Sequence, residues 1–244
     1  MGAYPGQYKG EDRTIDSETA GIWGVVLLTA AFWVILLRRY DKVHPEPMLA
    51  VVSMVIIGGV GSYYTAGYTN AVLEELTGFR FADPMLSTAS AVKITFLMGL
   101  NEEFFKALFT LLIIKDAKVF DEPVDAAVYA VSTAIGFAAF ENADYAVRYG
   151  SAVLFERSLA SMPLHISLAS IWALGIAKGK FAYGGYIRNA TPYILLAGIL
   201  HAFYNYAVIF APDPLYSYVF AGVIILMTVS FMFFILKRLE ALST

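Results

Sequence analysis

About seven apolar runs, each long enough to cross a lipid bilayer, constrain this chain more than any other feature of its sequence. A hydrocarbon core about 30 Å thick takes about 20 residues of helix to span. Within it every backbone N–H and C=O must find a partner inside the protein, so runs of this kind fold as helices. They fall at 21–37, 47–67, 87–114, 124–146, 157–177, 191–210 and 215–236. Turn signals part them: His44-Pro45-Glu46-Pro47, Ala82-Asp83-Pro84, Asp121-Glu122-Pro123, Gly184-Gly185 and Pro212-Asp213-Pro214. The expected fold is an all-α, polytopic membrane helix bundle. Residues 1–20 form a polar N-terminal segment and residues 21–240 a single transmembrane domain.

Orientation follows from the basic residues. With the N-terminus outside, the inner segments hold Arg38, Arg39, Lys42, Lys115, Lys118, Lys178, Lys180, Arg188, Lys237 and Arg238. The outer segments hold only Lys9, Arg13, Arg80 and Arg148. That positive-inside bias predicts an extracytoplasmic N-terminus and a cytoplasmic C-terminus. The polar first twenty residues lack the pattern of a signal peptide, so the first run reads as a retained span. Charged residues are 15% of the chain, against about 25% in an average soluble domain. Net charge is −3 with no run of like charges, which gives nucleic-acid binding no support. The absence of cysteine excludes disulfides, thiolate metal ligands and cysteine nucleophiles together.

Smaller features refine the plan. The third run exceeds the bilayer thickness and is expected to tilt, or to bend near Gly99. Residues 68–82 are expected to form a short interfacial helix. Gly58, Gly59, Gly61 and Ser62 mark a surface for close helix packing.

Against this apolar background, Asn101-Glu102-Glu103-Phe104-Phe105-Lys106 stands out, because a charge at the bilayer centre costs about 2.5–3.5 kcal/mol on insertion scales. Three further runs carry polar groups at depth: Glu141 and Asn142, then His165 just after Pro163, then His201 and Asn205. Counted from the inner end of each run at 1.5 Å per residue, these groups lie about 15 to 25 Å up, in one layer. Four successive spans therefore bring their costly groups to one shared site. His201 and Asn205, four apart, share a helical face, as do Glu102 and Lys106. Glu102 and Glu103 point about 100° apart and so do different work: one faces the centre, the other is held by Lys106 or a neighbouring helix. Pro163 is expected to free a backbone carbonyl near His165.

Carboxylates and imidazoles gathered in a partly dry pocket supply a general base and oxyanion donors, the parts needed for hydrolysis without a metal. Two histidines and two or three glutamates also suffice in number to hold Zn²⁺ with an open position. The helical HExxH spacing is absent, however. A nucleophile elbow of the GxSxG kind is missing, and Asp125 and Asp144 lie near opposite ends of one span, where they cannot form an aspartyl pair.

These motifs resemble those of the PrsW family of intramembrane proteases: Glu102-Glu103-x-x-Lys106, Phe137-x-x-x-Glu141-Asn142, His165, and His201-x-x-x-Asn205. That family is related to the CAAX-protease and bacteriocin-processing group and to a subunit of γ-secretase. In the wider group the first motif is usually EExxxR and the second FxxxH, so EExxK and FxxxE favour the PrsW branch. The similarity covers roughly residues 50–210. It implies a glutamic-type intramembrane protease in which Glu102 is the general base and Glu103 its neighbour held by Lys106. Glu141 and His165 would complete the site, with Asn142 in support, while His201 and Asn205 would stabilise the oxyanion. No cofactor is expected, with zinc the variant to be tested. The implied partner is a membrane-anchored protein substrate in the lipid bilayer, of the anti-sigma-factor kind. The implied location is the cell membrane. A non-catalytic membrane scaffold and a proton-coupled transporter are the alternatives from other functional classes.

Overall fold

The computed structural model describes residues 17–243 except 81, 82, 84, 183, 211 and 212. The expectations for residues 1–16, for the turn at Ala82 and Pro84, and for Pro212 lie outside the described residues. Every regular element among the described residues is helical: α1 (Ser17–Leu37), α2 (Met48–Ser53), a π-helical stretch (Met54–Gly58), α3 (Gly59–Thr77), α4 (Thr88–Ile114), α5 (Asp125–Tyr149), α6 (Val153–Leu159), α7 (Ser161–Phe181), α8 (Tyr186–Phe210) and α9 (Pro214–Ser243). Helix α2, the π stretch and α3 run on without a break, since Ser53, Gly58 and Gly59 all keep helical φ and ψ.

Among the described residues, five rods are long and apolar enough to cross a membrane: Ser17–Leu37, Met48–Thr77, Val153–Phe181, Tyr186–Phe210 and Leu215–Ser243. Helix α4 is interrupted by Lys93, Glu102, Glu103 and Lys106, and α5 is built largely of alanine and other small residues. Large apolar side chains such as Leu27, Leu28, Ile35, Leu49 and Leu226 face outward, as expected of a bundle whose outer solvent is lipid.

Helices α5 and α7 form the centre. Residues 125–139 and 161–173 are buried without interruption, so neither helix shows the one-sided apolar stripe of a surface helix. Helix α7 packs along α8, α5 and α9, while α4 lies along α8 and α3, and α1 lies against α5. Close approach depends on glycine. A Cβ built on Gly136 would collide with the Val55 carbonyl of the π stretch, and one on Gly59 would meet the Gly136 backbone. The glycine cluster of the second span thus packs helices within the chain. At the α4–α8 crossing, a Cβ on Gly99 would lie 2.9 Å from both the Gly198 carbonyl oxygen and the Ala202 nitrogen. This crossing lies one turn from Glu102, Glu103 and His201, and it brings those groups within reach of each other.

Three local expectations are corrected. Helix α3 continues to Thr77, so the residues after 67 are its last turns and not a separate interfacial helix. The span expected at 157–177 lies within the rod Val153–Phe181, but a turn at Ala160 divides that rod into α6 and α7. Pro163 therefore falls in the first turn of α7, where an N–H has no intrahelical acceptor in any case, and it frees no carbonyl. Gly99, where the long third run was expected to bend if it did not tilt, lies inside the single helix α4 and serves close packing.

One polar knot ties the loop before α2 to α5. The Arg38 guanidinium donates to the Glu46 carbonyl oxygen at 2.7 Å, the Glu46 N–H donates to Asp41 Oδ2 at 2.8 Å, and the Tyr129 hydroxyl donates to the Glu46 carboxyl. Burial pushes the Glu46 carboxyl up from 4.5 to about 8, opposed by the Tyr129 bond and reinforced by Asp125 and Asp41. The folded state therefore holds this proton more tightly than the unfolded chain. The resulting stability is complete below pH 4.5 and is lost as pH rises through about 8. The thermal unfolding midpoint in detergent is expected to fall between pH 6 and 9, and Glu46→Gln, which cannot ionise, is expected to flatten that decline. An equal decline in the variant would show that other groups cause it.

Candidate active site

Four helices converge on one hydrogen-bonded centre. Helix α4 supplies Glu102, Glu103 and Lys106, α5 supplies Glu141 and Asn142, α7 supplies His165, and α8 supplies His201 and Asn205. All the residues singled out in the sequence lie at this centre or line the cavity beside it.

The two adjacent glutamates differ in their surroundings, as their 100° separation on the helix requires. Glu103 is fully buried and satisfied. Its Oε1 accepts from Lys106 Nζ at 2.5 Å and from His201 Nδ1 at 3.0 Å, and its Oε2 accepts from Trp172 Nε1 at 3.0 Å. Glu102 accepts at Oε1 from Asn70 Nδ2 at 3.1 Å. Its Oε2 is buried without a hydrogen-bond partner among the described residues and lies 3.7 Å from His201 Nε2. That gap is too long for a hydrogen bond, and both groups look onto the same cavity.

Asn70 is itself held in place. Its Oδ1 accepts from Asn101 Nδ2 at 2.8 Å, and the same amide donates to the Ala66 carbonyl at 3.0 Å, while Thr69 donates to Asn101 Oδ1 at 3.0 Å. This α3–α4 network orients the Glu102 carboxyl from behind.

Lys106 has no solvent exposure. Besides Glu103, it donates to His165 Nδ1 at 2.9 Å and lies 4.7 Å from the centroid of the Phe137 ring. An ammonium can only donate, so His165 Nδ1 accepts and Nε2 carries the ring proton. That proton points to Glu141 Oε2, 3.0 Å away. The same oxygen forms an ion pair with Arg157 at 2.6 Å. Arg157 also reaches Asn142 Oδ1 at 2.9 Å and Ser161 Oγ at 3.0 Å. The rings of His165 and His201 meet edge to face with centroids 4.9 Å apart.

Glu103 thus faces Lys106 and Glu141 faces Arg157, whereas among the described residues Glu102 has neither lysine nor arginine paired with it. A cavity of about 350 Å³ opens before it, lined also by Glu141, His165, His201, Tyr204 and Asn205. Asn205 lies one turn along α8 from His201 and turns toward this space.

Sequence reading passed over Arg157, Asn70 and Trp172. Arg157 stood at a span edge, where basic residues ordinarily reach for the interface. The signal that could have found it was an arginine at the foot of the span bearing His165.

A membrane-embedded helix bundle that gathers carboxylates, imidazoles and amides around one cavity defines a polytopic membrane protein with a hydrolase-type centre. Comparison with known proteins makes the assignment specific. The sequence profile of the family described as PrsW family intramembrane metalloprotease matches residues 46–235. A protein of Geobacillus kaustophilus named Protease PrsW is 28% identical over 194 residues, 77% of each chain. Its namesake in Bacillus subtilis is 26% identical over 191 residues, covering 77% of this chain and 80% of that one. The Oceanobacillus iheyensis protein of the same name is 31% identical over 115 residues, about half of each chain (47% and 54%). No solved structure matches the chain significantly. The chain belongs to the PrsW family, and so to a class of membrane-embedded proteases.

The family's description implies a metal, and the donor set bears on it. Donor atoms of Glu102, His165 and His201 lie within 4.8 Å of one another. Glu102 Oε2 and His201 Nε2 are both open to an ion. His165 is not: Lys106 occupies Nδ1, and Nε2 carries a proton directed at Glu141. A ligating imidazole must offer a lone pair, so the residues as arranged do not fit a three-ligand ion.

Proposed function

We propose that this chain is an intramembrane endopeptidase in which Glu102 activates a water molecule for attack on a peptide carbonyl in or near a substrate's transmembrane segment. One observation carries the reading: Glu102 Oε2 is buried, has no hydrogen-bond partner among the described residues and faces the cavity 3.7 Å from His201 Nε2, whereas Glu103 and Glu141 are each bound by a cation. A water between Glu102 Oε2 and His201 Nε2 has two acceptors for its protons and a lone pair for the substrate. As its oxygen bonds to the carbonyl carbon, Glu102 takes a proton. It returns that proton to the departing amide nitrogen when the C–N bond breaks, so the carboxylate is regenerated.

The oxyanion needs donors on the far side of the carbon. Asn205 offers its side-chain amide. His201 gives its Nδ1 proton to Glu103 and keeps Nε2 as the acceptor that holds the water. His165 lines the same cavity, with its Nε2–H committed to Glu141. The Glu103–Lys106–Trp172 group anchors His201 and His165 and does not itself meet the substrate. The substrate class is a membrane-anchored protein, of the anti-sigma-factor kind in the family likeness. The enzyme resides in the cell membrane with its N-terminus outside. No step is carried through a metal ion.

The testing experiment compares new protein N-termini in membranes from cells producing the intact chain and cells producing Glu102→Gln at equal abundance. Sites found only with the intact chain, in or beside another protein's span, are the expected result. Identical profiles from two folded proteins would favour a scaffold. Cleavage is further expected to persist in EDTA and in 1,10-phenanthroline. Loss of activity to both, with recovery on adding Zn²⁺, would transfer the attacking water to a metal.

A further inference from the structure

Arg157 lies outside the motifs that mark the site, yet its contacts place it there. It comes from α6, a seven-residue helix between α5 and α7. Its side chain is only 17% exposed. The guanidinium lies 3.7 Å from the centroid of the Tyr145 ring and lines the catalytic cavity. Its planar fork meets three acceptors on two helices: Glu141 Oε2 at 2.6 Å and Asn142 Oδ1 at 2.9 Å on α5, and Ser161 Oγ at 3.0 Å on α7. A fixed fork of this kind sets direction as well as charge, and lysine does not reproduce it.

The acceptor that matters is Glu141 Oε2, because His165 Nε2 approaches the same oxygen at 3.0 Å. Arginine and histidine therefore share one oxygen, and its position is set by the stiffer of the two. On the other side of the ring, Lys106 donates to Nδ1 at 2.9 Å and is itself anchored by Glu103. His165 is gripped at both nitrogens, by a donor on one side and an acceptor on the other, and only the Nε2–H tautomer satisfies both.

We infer that Arg157 is a positioning residue: by fixing Glu141 it holds His165, together with Lys106, in the neutral Nε2–H tautomer, so that His165 serves as a hydrogen-bond donor and not as a base or a ligand. An arginine that merely tied α6 to the bundle would leave the tautomer of His165 unchanged when replaced. The kinetic arm of the test rests on the protease reading, whereas the spectroscopic arm does not.

The chain has three histidines, His44, His165 and His201, so ¹⁵N-histidine labelling of the full protein in liposomes gives an assignable spectrum. Single replacements of His44 and His201 by Gln identify the His165 signals. In the wild type His165 is expected to show a protonated Nε2, a bare Nδ1, and an Nε2 proton protected from exchange with D₂O. In Arg157→Gln that protection is expected to fall at least about tenfold, and Arg157→Lys is expected to restore part of it, since the charge returns without the fork. On the membrane protein whose cleavage depends on Glu102, Arg157→Gln is expected to lower kcat by about 10- to 100-fold, the range typical of outer-shell orienting partners, with KM little changed. A wild-type His165 protonated at Nδ1, or protection undiminished in Arg157→Gln, would overturn the inference. Should Arg157→Gln fail to fold, the wild-type tautomer and the partial response of Arg157→Lys still decide it. Cleavage by Glu102→Gln would overturn Glu102 as the base while leaving the spectroscopic result to stand by itself.

Discussion

Glu102→Gln is expected to abolish turnover and leave the fold intact, whereas Glu103→Gln, one residue away, is expected to damage both. At position 102 the amide oxygen can still accept from Asn70, and the new amide hydrogens face His201 Nε2 across the 3.7 Å gap. The substitution removes a buried carboxylate that has neither lysine nor arginine paired with it among the described residues, so the thermal midpoint should hold or rise. Loss of a positioned general base costs about 10²–10⁴-fold in rate. At position 103 the same change leaves the Lys106 ammonium with no carboxylate in a site without solvent exposure. Initial rates of new N-terminus formation and melting midpoints of purified variants check both halves. Retained turnover in Glu102→Gln would move the base to another residue.

The polar motifs were legible because the membrane makes them so. A glutamate pair within an apolar run is costly enough that its presence announces a partner, and a rise of 1.5 Å per residue places it at a depth. That arithmetic put Glu102, Glu141, His165, His201 and Asn205 in one layer, and the folded chain brings their helices together there. The division of work between Glu102 and Glu103 was also partly legible, since adjacent helical residues cannot face the same way. Which of them stays free depends on how far α4 is turned toward α8. The Gly99–Gly198 contact sets that rotation, and no spacing along the sequence reports it.

The errors were of one kind: misplaced helix ends. Pro163 looked like a mid-span breaker because the break at Ala160 carries no proline or glycine to mark it. Arg157 was lost for the same reason. Placed at the foot of a single long span, it reads as an interfacial anchor. Placed on a separate short α6, it turns inward over Tyr145 to reach Glu141. Asn70 lay where the interfacial helix was expected to begin, so its role behind Glu102 depended on α3 running on to Thr77. Trp172 gave no signal, since tryptophan in an apolar run is ordinary and only its indole N–H bond to Glu103 distinguishes it.

Lys106→Met is expected to be among the most destabilising single substitutions in the chain, and Glu103→Gln placed on top of it is expected to recover most of the loss. Neither member of the pair is exposed, and Lys106 Nζ lies 2.5 Å from Glu103 Oε1. Removing one partner of a buried pair strands the other charge and costs about 3–5 kcal/mol, while exchanging both for neutral groups of similar volume can be nearly free. Methionine fills the lysine's space against Phe137 without its charge. Glutamine at 103 keeps an oxygen for His201 or Trp172, so the double variant leaves no buried charge at this point. Melting midpoints of the four proteins form a double-mutant cycle, with a coupling energy of at least about 2 kcal/mol expected. Additive losses would mean that the two side chains stabilise the bundle separately. Turnover should not return with stability: the double variant lacks the donor at His165 Nδ1 and the ionised acceptor at His201 Nδ1, so both imidazoles are free to take the other tautomer. A double variant that was stable and fully active would show that the buried pair serves helix packing alone.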